Sequence, residues 1–295
     1  MTMLRTAVKN FYGYQKERFP IVILGLSFLP AILSSGAVIS SSATFEFVAL
    51  ALTLSLAYLL HVRIIDEFRD YTHDKEHHKD RPLSVGTITM QELRIIDYIA
   101  ITFFVGFAAY ASTQALLVAA VMLLYSFGAS KEFFLGPTFK KHFYLYNAVN
   151  LVQMLLLQVL VYIIAKETFS VTAVIFLHFL FTSTGTIIFE FLRKVKSPGK
   201  DGTGQDTYTW FLGHGTAVAV YAVFAAINIL LFSKLMTVTQ TTALYWVPVV
   251  GVLAMATLGS ALLHHFQKKE RSNQLMQLLF MVMYGSFNVL LFLAT

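Results

Sequence analysis

Residues 45–86 read FEFVALALTLSLAYLLHVRIIDEFRDYTHDKEHHKDRPLSVG, and two features of this stretch decide the fold. From Phe45 to Val62 the only charged side chain is Glu46. An apolar run of about 20 residues is what a helix needs to cross a ~30 Å hydrocarbon core. Charge then begins at once with Arg63, and six of the sixteen acids fall between Asp66 and Asp80. An apolar helix running straight into a dense acidic segment predicts a membrane span whose end carries a polar site.

The rest of the chain repeats the first feature. Of the 295 residues 57% are hydrophobic and 13% charged, with a mean hydropathy of +0.66. Soluble domains carry about 25% charged residues. That shortage excludes an ordinary cytosolic globule, a disordered chain and a small secreted scaffold. Cysteine is absent, so disulfides, thiolate nucleophiles and zinc–thiolate centres are excluded as well. Apolar stretches near 20–40, 45–65, 95–112, 114–129, 142–165, 171–192, 209–233, 242–264 and 274–294 predict nine crossings in an all-α, multi-pass membrane helical bundle.

Charge placement supports that number. Loops alternate sides, and twenty of the 22 Lys and Arg lie on 1–19, 63–94, 130–141, 193–208 and 265–273. The opposite loops hold only Lys166 and Lys234. This asymmetry predicts that the N-terminus and the charged loops are cytoplasmic. The net charge of +6 is then a consequence of topology, and no nucleic-acid partner is expected. Residues 1–19, with Arg5, Lys9, Lys16 and Arg18 among Phe11, Tyr12, Tyr14 and Phe19, read as an interfacial helix touching membrane lipids. The first apolar run, at about 20 residues, is longer than the core of a signal peptide. No linker divides the chain, so a single helical domain over 1–295 is expected.

In the acidic loop Asp66, Asp70 and Asp74 stand at i, i+4 and i+8, which on one continuous helix stacks three carboxylates on a single face. Like charges so placed repel unless a cation joins them. Oxygen ligands at a polar surface suit Mg²⁺, which binds through one or two carboxylates, waters and substrate phosphates. The alternative is a solvated loop balanced by Lys75, Lys79 and Arg81. His73, His77 and His78 read as surface histidines. A second polar segment follows the sixth crossing, where Glu190, Arg193 and Lys194 lead into Lys196, Lys200, Asp201 and Asp206. IIDEFRD (64–70) and IIFEFLR (187–193) are alike, a faint sign of an internal repeat. The glycines at 199, 202 and 204 do not form a phosphate-binding P-loop pattern.

These motifs resemble those of the UbiA superfamily of intramembrane prenyltransferases, whose first motif is N-D-x-x-D-x-x-x-D. Here it runs Asp66-Glu67-x-x-Asp70-x-x-x-Asp74, followed by Arg81-Pro82 and a turn at Gly86. Asp66 stands for the usual Asn and Glu67 for the usual Asp. The second motif, usually D-x-x-x-D, is altered more, and Glu190 ranks ahead of Asp201 and Asp206 as its metal ligand. The resemblance implies one UbiA-like domain that binds a prenyl diphosphate head group between the two loops with Mg²⁺. Asp66, Glu67, Asp70, Asp74, Glu190, Asp201 and Asp206 are the implied metal ligands. It also implies transfer of the isoprenoid chain to an aromatic or lipid-like acceptor, with release of diphosphate.

Arg81, Lys131, Arg193 and Lys194 are candidate diphosphate-binding cations, with Tyr125 near Lys131 at the end of the fourth crossing. In the fifth crossing Asn147, Asn150 and Gln153 form a polar stripe, a candidate pocket wall or a set of interhelical hydrogen bonds. His178 and His214 read as structural. A terpene cyclase on the same scaffold is the main alternative, since it shares the ionisation and differs in pocket shape. A lipid-binding or transport protein is a more distant one, because transporters keep ionisable groups near the midplane.

Overall fold

The computed structural model describes residues 2–135, 142–199, 207–239 and 246–295, with side chains from Val8 onward. Among the described residues it is all-helical, in the order α1 (Thr2–Arg18), α2 (Ile21–Ser40), α3 (Phe45–Arg69), α4 (Tyr71–His77), α5 (Met90–Ala111), α6 (Thr113–Ser130), α7 (Phe143–Ala165), α8 (Ala173–Arg193), α9 (Tyr208–Leu212), α10 (His214–Val238), α11 (Trp246–Gln267) and α12 (Glu270–Ala294). Nine of these helices, all but α1, α4 and α9, are long and apolar enough to cross a membrane. They coincide with the nine apolar stretches, because hydrophobic length maps directly onto helix length in a bilayer.

Local chemistry sets the boundaries. Ser112 separates α5 from α6 and accepts a hydrogen bond from the Ala115 amide at 3.0 Å. Thr89 and Glu92 form a reciprocal capping box that starts α5 at Met90, earlier than the apolar run predicts. The seventh crossing differs from the expectation of one helix over 209–233. Gly213, at φ +75°, breaks it into α9 and α10, a conformation that only glycine adopts without strain.

The chain forms two compact units, Met1–Leu29 with Phe45–Glu167 and Pro30–Thr44 with Thr168–Thr295. Each contains the same run of elements. A long helix with a charged end (α3 or α8) is followed by a short helix (α4 or α9) and three long helices. The likeness of IIDEFRD and IIFEFLR falls on the corresponding helix ends.

In the first unit α3, α5, α6 and α7 pack around Leu54, Tyr58, Phe104, Met122, Leu157 and Leu160. Ala108, Ala115 and Ala119 sit in the same cluster, where small side chains allow helices to approach closely. A second cluster of Tyr14, Phe19, Ile64, Leu83, Ile88 and Leu93 lies at the acidic loop and joins α1, α3 and α5. The N-terminal helix is therefore docked through one face, while Val8 and Tyr12 stay exposed. His61 ties three helices together: Nδ1 lies 2.7 Å from Asp97 Oδ1 and Nε2 lies 2.9 Å from Ser126 Oγ. Ser126 is buried and its hydroxyl already donates to the Leu123 carbonyl, so we read this Ser-His-Asp set as an interhelical tie.

The second unit is built on packed aromatic rings, with Phe181, Phe189 and Phe280 all within 6.0 Å of Tyr284 between centroids. Gly185 of α8 lies flat against that tyrosine, and a Cβ there would fall 2.2 Å from Tyr284 Cε2. Tyr284 is hemmed in by the other rings and has nowhere to move. Gly185→Ala is therefore expected to destabilise the protein by about 1–3 kcal/mol through overpacking, read as a lower midpoint in a thermal melt in detergent. Asn273 and Gln277 of α12 donate to the carbonyls of Val195 and Leu192, at and just beyond the end of α8.

Candidate active site

The acidic motif lies where α3 leaves its apolar segment. The i, i+4, i+8 spacing predicts a continuous column of three carboxylates, and the structure corrects that picture. The helix is interrupted at Asp70 (φ −96°, ψ 4°) before α4 begins at Tyr71. Asp66 and Asp70 stay together because Arg69 clamps both. Its Nη2 lies 2.7 Å from Asp66 Oδ1, and its Nε and Nη2 lie 3.2 Å from the two oxygens of Asp70. The Arg69 side chain is 7% exposed, whereas those of Asp66 and Asp70 are 33% and 34% exposed. Two open carboxylates thus share one buried guanidinium.

The α7 helix completes this cluster. The Arg69 guanidinium carbon lies 5.3 Å from the Tyr146 ring centroid, a cation–π distance. Tyr146 is hydrogen-bonded to Asn150 one turn on. Asn150 is half-buried, while Asn147 and Gln153 of the same stripe are buried. Asn147 Nδ2 donates to the Phe143 carbonyl at 2.7 Å, and Gln153 Oε1 accepts from the Tyr58 hydroxyl at 3.1 Å. Of the three, Asn150 is the one linked to the carboxylate cluster, through Tyr146.

The other two acids of the motif have different surroundings. Glu67, with a side chain 1% exposed, places Oε1 at 2.8 Å from Arg18 Nε and 2.6 Å from Arg63 Nη2. That double ion pair ties α1 to α3. Burial raises the pKa of the adjoining Tyr14 hydroxyl, and the negative charge of Glu67 adds to the shift. Asp74 is buried and ion-paired with Arg81, closing the loop that turns at Gly86 (φ +79°).

Among the described residues no group of three or more acids and histidines converges on one point. The donor set that fits a divalent ion is the pair Asp66 and Asp70. Both are hard carboxylates, both are partly open and both are held by Arg69, so these two residues would hold a hydrated Mg²⁺.

The remaining candidates lie as follows. Tyr125 donates to the Val149 carbonyl at 2.8 Å. Lys131 is exposed at the end of α6. Glu132, Phe133 and Phe134 then take left-handed φ angles of 52–60°, folding Phe133 back so that its ring lies 5.2 Å from Tyr125. In the second unit Glu190 is gripped by its own helix end, with Arg193 Nη2 at 2.7 Å and Lys194 Nζ at 3.5 Å. Asp201 and Asp206 lie outside the described residues.

Reading the sequence alone does not single out Arg69, Tyr146 or the Arg18–Arg63 pair around Glu67. A signal was present for two of them. Arg69 sits inside the acidic motif next to Asp70, and Tyr146 precedes Asn150 by one helical turn.

Comparison with known proteins agrees with the acidic-motif resemblance. The model of the UbiA prenyltransferase family matches residues 19–284. Among curated proteins no sequence matches the chain. Solved structures of the same fold include an apo UbiA homologue from Aeropyrum pernix K1, at 15% identity and TM-score 0.61, covering 90% of this chain and 97% of that one. A structure described for digeranylgeranylglyceryl phosphate synthase has 12% identity and TM-score 0.65 and covers 100% of this chain and 99% of that one. A UbiA homologue from Archaeoglobus fulgidus bound to DMAPP and Mg²⁺ has 15% identity and TM-score 0.55, covering 96% and 99%.

Proposed function

The chain belongs to the UbiA prenyltransferase family, and from that membership we propose that it is a Mg²⁺-dependent intramembrane prenyltransferase. It is an integral membrane protein with nine apolar spans among its described residues. The reaction we propose ionises a prenyl diphosphate, passes the isoprenoid chain to an aromatic or lipid-like acceptor and releases diphosphate. The observation that carries this reading is the pair Asp66 and Asp70 clamped on Arg69 beside Tyr146, at the polar end of an apolar helix.

Mg²⁺ held by Asp66 and Asp70 would supply Lewis-acid stabilisation of the charge that grows on the departing diphosphate. Arg69 balances the two carboxylates and has donors suited to phosphate oxygens. Arg81 holds Asp74 and so keeps the loop folded, and Lys131 offers a further cation at the end of α6. Arg193 and Lys194 are the second unit's candidate diphosphate-binding cations, and Glu190, paired with both, is its candidate metal ligand. The Tyr146 ring presents an aromatic face next to the reacting region, where it would favour an allylic cation. Glu67 serves the scaffold in this reading and takes no part in metal binding. In this reading the acidic loop faces the cytoplasm, which the asymmetric distribution of Lys and Arg supports.

Asn150 is assigned to the pocket wall. Asn150→Leu is expected to change acceptor or product choice while leaving the rate of diphosphate release within a few-fold of wild type. Equal loss of both would remove Asn150 from the pocket. The transferase reading is tested with purified protein, Mg²⁺ and geranyl, farnesyl or geranylgeranyl diphosphate, with and without aromatic and lipid acceptors. Consumption that requires an acceptor supports transfer. A cyclic hydrocarbon or terpene alcohol formed without acceptor would make the protein a cyclase.

A further inference from the structure

The register of α1 sorts its side chains onto two faces. At about 100° per residue, Val8, Lys9, Tyr12 and Lys16 fall within one arc, and Asn10, Phe11, Tyr14 and Arg18 fall within the opposite one. Burial follows the same division. The first four are exposed, Val8 by 62% and Tyr12 by 56%. Tyr14 is fully buried, and Asn10, Phe11 and Arg18 are partly so.

The inner face is committed to the acidic loop. Arg18 Nε meets Glu67, the neighbour of Asp66, at 2.8 Å, and Asn10 Nδ2 donates to Glu92 Oε1 at 2.9 Å. Tyr14 packs in one cluster with Ile64, Leu83, Ile88 and Leu93. Gly13 lies close to Thr87, which follows the turn at Gly86. The helix α1 therefore bridges both ends of the acidic loop, at α3 and at α5.

The outer face has a different chemistry. The Lys16 ammonium lies 4.4 Å from the Tyr12 ring centroid, on the same arc as Lys9 and Val8. Two ammonium groups around an aromatic and an aliphatic side chain suit the headgroup layer of a bilayer, where cations meet phosphates and ring bodies enter the acyl boundary. Reach fixes the partner. Only Phe19 and Pro20 separate α1 from the apolar span α2, so α1 is held at the membrane surface.

We propose that the outer face of α1 docks on anionic lipid headgroups, and that this docking stabilises the folded acidic loop. A lipid shifts an equilibrium only by binding one state better than the other. While the inner face is packed, Lys9 and Lys16 are fixed on the opposite side of the helix. An α1 released from α3 and α5 would roll Phe11, Tyr14 and Phe19 into the apolar layer and turn both lysines away from the headgroups. Anionic lipid therefore favours the docked helix, and with it the Arg18–Glu67 pair. Neither part rests on prenyl transfer.

The chain has no cysteine, so Val8→Cys gives a single bimane label on the outer face of the full-length protein. The protein is placed in nanodiscs of phosphatidylcholine and phosphatidylglycerol, with a bromine quencher carried at equal content by one lipid or the other. Quenching by brominated phosphatidylglycerol is expected to be about twofold stronger, since each lysine near the surface attracts anionic lipid. Lys9→Gln/Lys16→Gln, at exposed positions, should make the two quenchers equal. Hydrogen exchange in residues 80–88 should be several-fold slower with phosphatidylglycerol than in phosphatidylcholine alone, and that difference should vanish in the double variant. Equal quenching when both lysines are present, or a preference that survives the double variant, would overturn the docking. Exchange that ignores lipid charge would overturn its link to the acidic loop.

Discussion

Asp70→Asn is expected to slow Mg²⁺-dependent diphosphate release by about 100-fold or more while leaving the thermal midpoint nearly unchanged. The kinetic half follows from charge. Removing one of two carboxylates from a divalent site withdraws stabilisation that is greatest as the leaving group becomes negative, and losses of 10²–10³ are usual for a comparable preorganised contact. The stability half follows from geometry. Asp70 is one-third exposed and its partner Arg69 retains Asp66 at 2.7 Å, so the lost ion pair costs no more than about 1 kcal/mol. Steady-state release assays and a thermal melt on the same preparation check both halves. Unchanged turnover in Asp70→Asn would remove the metal assignment.

Glu67→Gln is expected to do the reverse. The Glu67 side chain is 1% exposed and one of its oxygens meets both Arg18 and Arg63 within 2.8 Å. Its neutralisation leaves two guanidinium groups facing each other next to buried Tyr14, which should destabilise the protein by about 3 kcal/mol. Turnover per folded molecule should remain within a few-fold of wild type. The family pattern implies that this position binds metal, so the variant separates the two roles. A normal melt with sharply weaker Mg²⁺ activation would return Glu67 to the metal site.

The division between these neighbours follows from helical geometry. Consecutive positions on a helix point about 100° apart, and here Asp66 pairs with Arg69 while Glu67 pairs with Arg18 and Arg63. The angular separation is legible in the sequence, as are the nine spans, because the bilayer requires a fixed length of apolar helix. Three things were not legible. The column of acids from Asp66 to Asp74 assumed a continuous helix, and the interruption at Asp70 has no Gly or Pro to announce it. The break at Gly213 was hidden because its flanks, Tyr208–Leu212 and His214–Val238, are both apolar enough to read as one run. Partner choice among the arginines depends on tertiary structure: Arg69 takes two acids, while Arg18 crosses from the N-terminal helix to reach Glu67.

In the proposed reaction the Asp66–Asp70 pair holds the Mg²⁺ needed to ionise a prenyl diphosphate. Its most direct measurement is diphosphate release from geranylgeranyl diphosphate by purified protein in lipid nanodiscs, with acceptor-containing lipid extract, under Mg²⁺ and under EDTA. Wild-type protein should release diphosphate only with Mg²⁺, and the folded Asp66→Asn/Asp70→Asn protein should release none above background in either condition. Release that persists in EDTA, or in the double variant with Mg²⁺, would contradict the account.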